Sequence, residues 1–198
     1  IDEAIKSKLF DYILVSTDSK KYAKIAKSYG AQVPFLRPKK FAKSISPDFE
    51  WVNHSIIFLK KKKLNFEYFF ILRPTNPFRT AKTILKGWKL YKKSNFPDSL
   101  RAIELSKQHP EKMWLLKNKN QIIPLINKKY NSQPSYNMQF KSLKKVYVQN
   151  ASLEISKVSN LKKYKTITGK KIIGFQTSDL EGFDINYPED LLTAKKYL

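Results

Sequence analysis

Cysteine is absent from this chain, which excludes disulfides, thiolate metal sites and a cysteine nucleophile at once. A reducing compartment is compatible with that composition. Histidine occurs only as His54 and His109. The first falls in a helical stretch and the second precedes Pro110, so packing and turn roles are expected of them rather than catalysis. Glycine is nearly as scarce. Gly30, Gly87, Gly169, Gly174 and Gly182 lie too far apart to form a loop that cradles phosphates. No apolar run has transmembrane length and no signal-peptide pattern is present, so the cytoplasm is the expected compartment and a membrane is not an expected partner.

Acidic residues are also few, 16 against 39 basic ones, giving a formal charge of +23 and a pI near 10.0. Such a balance ordinarily points to nucleic acid or an anionic membrane. The choice of cation argues against it. Thirty-five lysines are spread over every segment, whereas only four arginines occur, Arg37, Arg73, Arg79 and Arg101. Each arginine sits beside proline or at the end of an apolar run, where a forked, weakly hydrated cation does what lysine cannot. A basic nucleic-acid-binding domain stays as an alternative. It requires a contiguous basic face and steep salt dependence, and the chain lacks a Gly-aromatic RNA signature.

With 198 residues, 41% of them hydrophobic, the chain can bury one sizeable core, and a single domain over 1–198 is expected. Its organising stretch is Phe69–Thr80, FFILRPTNPFRT. An apolar run that stops abruptly at Arg73 reads as a buried strand delivering polar side chains at its carboxyl end, where an open α/β sheet keeps its ligand. Pro74 and Pro77 stiffen the loop. Two guanidinium groups on such a loop suit a carboxylate or phosphate; a proline-capped strand end with solvated arginines is the plainer reading.

Ahead of it, Ile1, Ala4, Ile5 and Leu9 fall at helical spacing, and the opening at Ile1 leads to the expectation of an amino-terminal truncation. Asp11–Ser16 reads as a strand running into Thr17, Asp18 and Ser19, a cluster that can cap the next helix, line a crevice, or do both. That helix covers Lys20–Tyr29, with Tyr22, Ile25, Ala26 and Tyr29 on one face; Gly30 follows in the left-handed conformation and Ala31–Leu36 is a short strand. Ser46-Pro47-Asp48 starts a helix to about Lys61, with Ser46 as its cap and Trp51 and Ile57 packing. A further helix runs from about Ala81 to Tyr91 with Ile84, Leu85, Trp88 and Tyr91 on one face.

Ser99–Leu105, Val146–Ser156 and Lys170–Gln176 are strand candidates, and Gln133–Lys145 reads as a loop, lid or arm. Asn150 in mid-strand marks a bulge or serves a ligand. In DLEGFDINYPED (179–190), Gly182 permits a turn and Pro188-Glu189-Asp190 starts the last helix. Asp184 and Asn186, two apart, project on one side of an extended segment and suit a hard cation such as Mg²⁺ unless they are only an Asx-rich helix entry.

Taken together, VSTDS, YAKIAKSYGAQVPFLRP, LRPTNPFRT, VYVQNASLEIS and EGFDINYPEDLLTAKKYL, in this order, closely resemble the acylneuraminate cytidylyltransferases, or CMP-sialic acid synthetases. The likeness runs over essentially the whole chain. It implies a Rossmann-like α/β nucleotidyltransferase with a mostly parallel central sheet flanked by helices, working as a homodimer in cell-surface polysaccharide biosynthesis. It further implies transfer of CMP from CTP to the anomeric hydroxyl of a nine-carbon α-keto acid sugar, with Mg²⁺ and release of pyrophosphate. Members of that family begin with a strand and a basic, Gly-containing triphosphate loop not found here, so the resemblance leads to the expectation of a fragment that is inactive alone. An inert nucleotidyltransferase-like subunit is the second alternative.

Residue by residue, the resemblance places Thr17, Asp18 and Ser19 on the nucleotide side, and Arg73, Thr75, Asn76 and Arg79 on the sugar side with Gln149 and Asn150. Arg73, where the family often has Gln, would hold the sugar carboxylate and assist catalysis. Ala151-Ser152 replaces the usual Gly-Ala, and Glu154 stands where sialate enzymes tend to have Tyr. Asp184 matches the first metal carboxylate. Its partner, usually Asp, is Asn186 here. These departures gather on the sugar side.

Overall fold

The structure, a computed structural model, describes residues 1–197. Where composition leads to one domain, the chain divides into two compact units, one of Ile1–Ala102 with Asn150–Leu198 and one of Ile103–Gln149. Among the described residues the helices are α1 (Asp2–Lys6), α2 (Lys20–Ser28), α3 (Asp48–Lys61), α4 (Ala81–Lys93), α5 (Ser159–Lys163) and α6 (Pro188–Lys195), all in the first unit. Eight strands occur among the described residues: β1 (Tyr68–Ile71), β2 (Ser99–Leu105), β3 (Trp114–Leu116), β4 (Ile122–Pro124), β5 (Lys129–Tyr130), β6 (Gln133–Pro134), β7 (Tyr147–Lys157) and β8 (Ile172–Gln176).

The main sheet has the order β1-β7-β2-β8. Strand β7 runs antiparallel to β1, with Ile71 opposite Glu154 and Tyr68 opposite Lys157. The end of β7 lies against the start of β2, where Lys157 N–H donates to Asp98 C=O, and Ser99 N–H donates to Lys171 C=O at the starts of β2 and β8. Three strands therefore share one direction and β7 opposes them. Along β1 the side chains alternate: Phe69 and Ile71 pack with Val52, Ile56 and Leu59 of α3, while Tyr68 and Phe70 pack with Tyr91 of α4, Leu153 and Ile155. Burial on both faces explains why the strand reads as an unbroken apolar run. Of the four β1 side chains Ile71 is fully buried and contributes about 1.5–3 kcal/mol, and the half-buried Tyr68, Phe69 and Phe70 contribute less for their size.

Several local expectations need correction. Asp11–Ser16 and Ala31–Leu36 do not form full strands; they meet in a single parallel bridge, Leu14 with Gln32, flanked by two backbone hydrogen bonds. On α2 it is Ala23 and Ala26 that are buried, against Ala31 and Val33, while Tyr22, Ile25 and Tyr29 are exposed. Both sets obey helical spacing, and the small alanine pair permits the closer approach. Ile57 and Leu85 are likewise exposed, each on the outer side of its helix. Pro47, not Ser46, is the residue before α3, and the Ser46 hydroxyl instead accepts from Lys43 N–H. The turn at 179–182 is a 3₁₀ segment in which Asp179, rather than Gly182, has positive φ, a conformation that Asp tolerates through its short polar side chain. His54 packs edge-on to Phe35, in keeping with a helix histidine that only packs.

Gly169 shows where backbone freedom is needed. Its φ is +73, and a Cβ added there would stand 2.4 Å from Asp98 Cβ. The Asp98 carboxylate accepts from Lys170 and Lys171 N–H at 2.8 and 2.9 Å, fixing the entry to β8. Gly169→Ala should cost more than about 2 kcal/mol, combining left-handed strain with the clash, and should appear as a lower urea midpoint at unchanged slope.

In the second unit, β3 and β4 form an antiparallel hairpin and β5 and β6 a smaller one, with short 3₁₀ turns at Pro110–Lys112, Ser135–Asn137 and Phe140–Ser142. Gln133–Lys145 is thus loop-like, as expected. His109 is buried in a turn, its Nδ1 accepting from Glu111 N–H and its Nε2 donating to Lys144 C=O. Both strands of the larger hairpin are apolar and leave Trp114, Leu115, Leu116, Ile122 and Ile123 exposed.

Candidate active site

The abrupt end of β1 sets the geometry. Arg73 follows the strand by two residues and reaches two carboxylates: Asp48, at the first position of α3, and Glu154, in the facing part of β7 at 2.8 Å. The Asp48 contact is a fork, each carboxylate oxygen accepting from one of the two terminal nitrogens of Arg73. Glu154 also pairs with Arg101 of β2. These pairs differ in depth. Side-chain exposure is 5% for Glu154 and 12% for Arg101, against 29% for Asp48 and 33% for Arg73.

The network continues outward from Asp48, which accepts from the Trp51 indole at 2.9 Å. Arg37 lies over the Trp51 ring at 5.1 Å and donates to the Ser16 hydroxyl and carbonyl. Burial acts to raise the Asp48 carboxyl, but hydrogen bonds from Arg73 and Trp51, with the Arg73 and Arg101 charges, hold it below the usual range. Burial draws Arg37 and Arg101 below the usual arginine value.

Arg79 is the fourth arginine. It donates to the carbonyls of Arg73 at 3.2 Å and Ser152 at 2.6 Å, forms no ion pair among the described residues, and keeps a buried Nε without a hydrogen-bond partner. With nothing to offset it, burial pushes its guanidinium down to about 10. A largely buried cation with no counter-ion is costly, and such groups gather at functional sites.

Asn76 ties the loop together. Its side-chain nitrogen donates to Glu181 C=O at 2.7 Å while its oxygen accepts from Phe78 and Arg79 N–H, and it is almost fully buried. Thr75 C=O accepts from Ile185 N–H at 2.9 Å. The 3₁₀ segment is fixed from the other side by Glu181, whose carboxylate accepts from the Thr83 and Ser178 hydroxyls. Asp184 is brought to the Arg73–Thr80 loop by these contacts. Its Oδ2 accepts from the Asn186 amide at 3.2 Å, and its Oδ1 is buried without a hydrogen-bond partner. Asp184 and Asn186 do share one side, as their spacing predicts.

The remaining expected residues divide. Asn150 donates to the Thr177 hydroxyl just past the carboxyl end of β8, and its oxygen accepts from Ser152 N–H two residues on. Gln149 is exposed and belongs to the second unit. Ser19 caps α2 by accepting from Tyr22 N–H, Thr17 Oγ1 accepts from Ser19 N–H, and Asp18 is exposed. Asp48 and Ser152 were not singled out from the sequence. Asp48 is masked by a helix-start pattern that accounts for it fully. Arg37 and Arg101 had a signal, as two of only four arginines.

A sheet with helices on both faces, a cation-rich cluster beyond the end of β1 and an acidic segment beside it define an α/β protein with a candidate site at a strand end. The model of the cytidylyltransferase family matches residues 1–155, and the chain belongs to that family. N-acylneuraminate cytidylyltransferase of Escherichia coli O18:K1:H7 is 37% identical over 91 residues, 46% of this chain and 20% of that protein. CMP-N,N'-diacetyllegionaminic acid synthase of Legionella pneumophila is 39% identical over 93 residues, 45% of this chain and 38% of that protein. The chain therefore matches well under half the length of either relative. A crystal structure of CMP:2-keto-3-deoxy-manno-octonic acid synthetase complexed with CTP has the same fold, with a TM-score of 0.65 at 10% identity over 99% of this chain and 84% of that one.

No helix among the described residues is long and apolar enough to cross a membrane. Nor, among them, does any group of three or more His, Asp and Glu side chains stand ready to hold a metal.

Proposed function

We propose that this protein transfers CMP from CTP to the anomeric hydroxyl of a nonulosonic, sialic-acid-like sugar. The observation that carries the reading is the gathering of all four arginines in one cluster, where Asp48 and Glu154 form the ion pairs, Asp18 acts on Arg37 from a distance, and Arg79 has no ion pair among the described residues. The positive charge left over suits a substrate carboxylate and a triphosphate. The sugar oxygen attacks the α-phosphorus, the bond to the bridging oxygen breaks, and pyrophosphate leaves with the electron pair while the hydroxyl proton passes to solvent. Arg73 and Arg79 orient the acid sugar with Thr75, Asn76, Asn150 and Glu154 around them, and Thr17, Asp18 and Ser19 face the nucleotide.

Asp184 and Asn186 would hold Mg²⁺. The partnerless Asp184 Oδ1 fits an ion that takes few protein ligands and completes its octahedron with water and substrate phosphates. Bound there, Mg²⁺ neutralises charge on the leaving pyrophosphate. The test is pyrophosphate release from CTP by the full-length protein with N-acetylneuraminic, legionaminic and pseudaminic acids in turn. No release with any of them overturns the reading.

A homodimer is part of the same proposal. A lone two-stranded hairpin is marginally stable, and an apolar one as exposed as β3–β4, with Leu116 at 69%, is stabilised by a second copy. Leu116→Asp should shift the protein from dimer to monomer in analytical ultracentrifugation. An unchanged mass would remove the hairpin from the interface.

A further inference from the structure

We infer that Asp48 is a built-in competitor for the substrate carboxylate, occupying the fork of Arg73 until an acidic sugar displaces it. The inference rests on the acid-sugar reading given above. Arg73 is the cation best placed by the strand end, yet its two terminal nitrogens are already engaged by the two oxygens of Asp48, in the end-on geometry a substrate carboxylate would need.

Depth separates the exchangeable partner from the permanent one. Glu154 is buried between Arg73 and Arg101 and cannot leave without stranding a charge, whereas Asp48 and Arg73 are each about a third exposed. Asp48 also has somewhere to go. It sits in the first turn of a 14-residue helix, where the backbone dipole favours a carboxylate, and its charge already acts on Arg37, which lies over the neighbouring Trp51 ring. Glu154 would then hold Arg73 in place while its fork changes partner. Specificity follows from the exchange. A neutral sugar has no group able to displace Asp48, so only a ligand with its own carboxylate gains the fork.

Asp48→Asn is the informative variant, because the amide oxygen still accepts from the Trp51 indole while the charge on the fork is gone. Affinity measured through a competitor that holds the fork most of the time is reduced by the free fraction. In the full-length protein Asp48→Asn should therefore bind free N-acetylneuraminic acid, or whichever nonulosonic acid the wild type takes, about fivefold more tightly by calorimetry without CTP, the upper range for a part-exposed pair. The KM for the sugar should fall in parallel and the KM for CTP should not move. Sugar binding that weakens or stays the same in Asp48→Asn overturns the proposal and makes Asp48 a support for Arg73. If neither protein binds any nonulosonic acid, and no pyrophosphate is released, the acid-sugar reading fails and this inference with it.

Discussion

Asp184→Ala should lower kcat for CMP transfer by about a thousandfold while leaving the fold intact. The first half follows from its place as the carboxylate beside the loop, where one preorganised charge contact on a developing anion carries about 10²–10³ in rate and a metal ligand at least that much. The second half follows from its surroundings. Oδ1 has no partner and Oδ2 only the Asn186 amide, so removal of the carboxylate breaks little and relieves a buried, half-satisfied acid. A melting temperature equal to or above wild type, with transfer lost, is the expected pair of results. Asn186→Asp should go the other way, retaining activity at lower Mg²⁺, since a second carboxylate strengthens a hard-cation site. A rate within about threefold of wild type for Asp184→Ala would remove it from the chemistry.

Glu154→Gln should be the most destabilising change in the site, by about 3–5 kcal/mol, the range for breaking a buried ion pair from one side. The carboxylate serves two guanidinium groups, and Arg101 is the more deeply buried of them. With the charge gone, Arg101 keeps the Thr168 hydroxyl and the new amide oxygen as neutral acceptors, faces Arg73 as a like charge, and is offset only by the more distant Asp48. Equilibrium urea unfolding measures the loss. Pairing the change with Arg101→Met, which removes the stranded cation, should recover a large part of it; a loss below about 1 kcal/mol in the single variant would show that solvent screens the pair.

Glu154 also marks the boundary of what the sequence made legible. The candidacy of Arg73, Arg79 and Asp184 could be read from strand ends and spacing, because those signals are local, and that of Glu154 only from the family resemblance. Its partners could not. That Arg73 meets Asp48 twenty-five residues earlier and Glu154 eighty-one later depends on which strands pair, and β7 lying antiparallel to β1 is what sets those residues face to face. Helix positions were read well and helix faces less so. On α2 an aromatic and aliphatic triplet and an alanine pair both fit the helical period, and only packing against Ala31 and Val33 selects the alanines. The short strands near the start were overread for the opposite reason, since a β-rich composition does not by itself supply a neighbour with which to pair.

The bond between Ile185 and Thr75 carries a consequence for how the protein is made. The loop after β1 is held by Glu181 and Ile185, more than a hundred residues further along, and β1 itself pairs with a strand eighty residues away. Contacts of such sequence separation form slowly, because loop closure must come first. During synthesis the arginine loop emerges long before anything that can fix it, and its apolar strand waits unpaired until β7 and then the 179–185 segment arrive. The arginine loop is therefore among the last features to order, and the interval before it does is when this lysine-rich chain depends most on its own charge repulsion to stay apart from its neighbours.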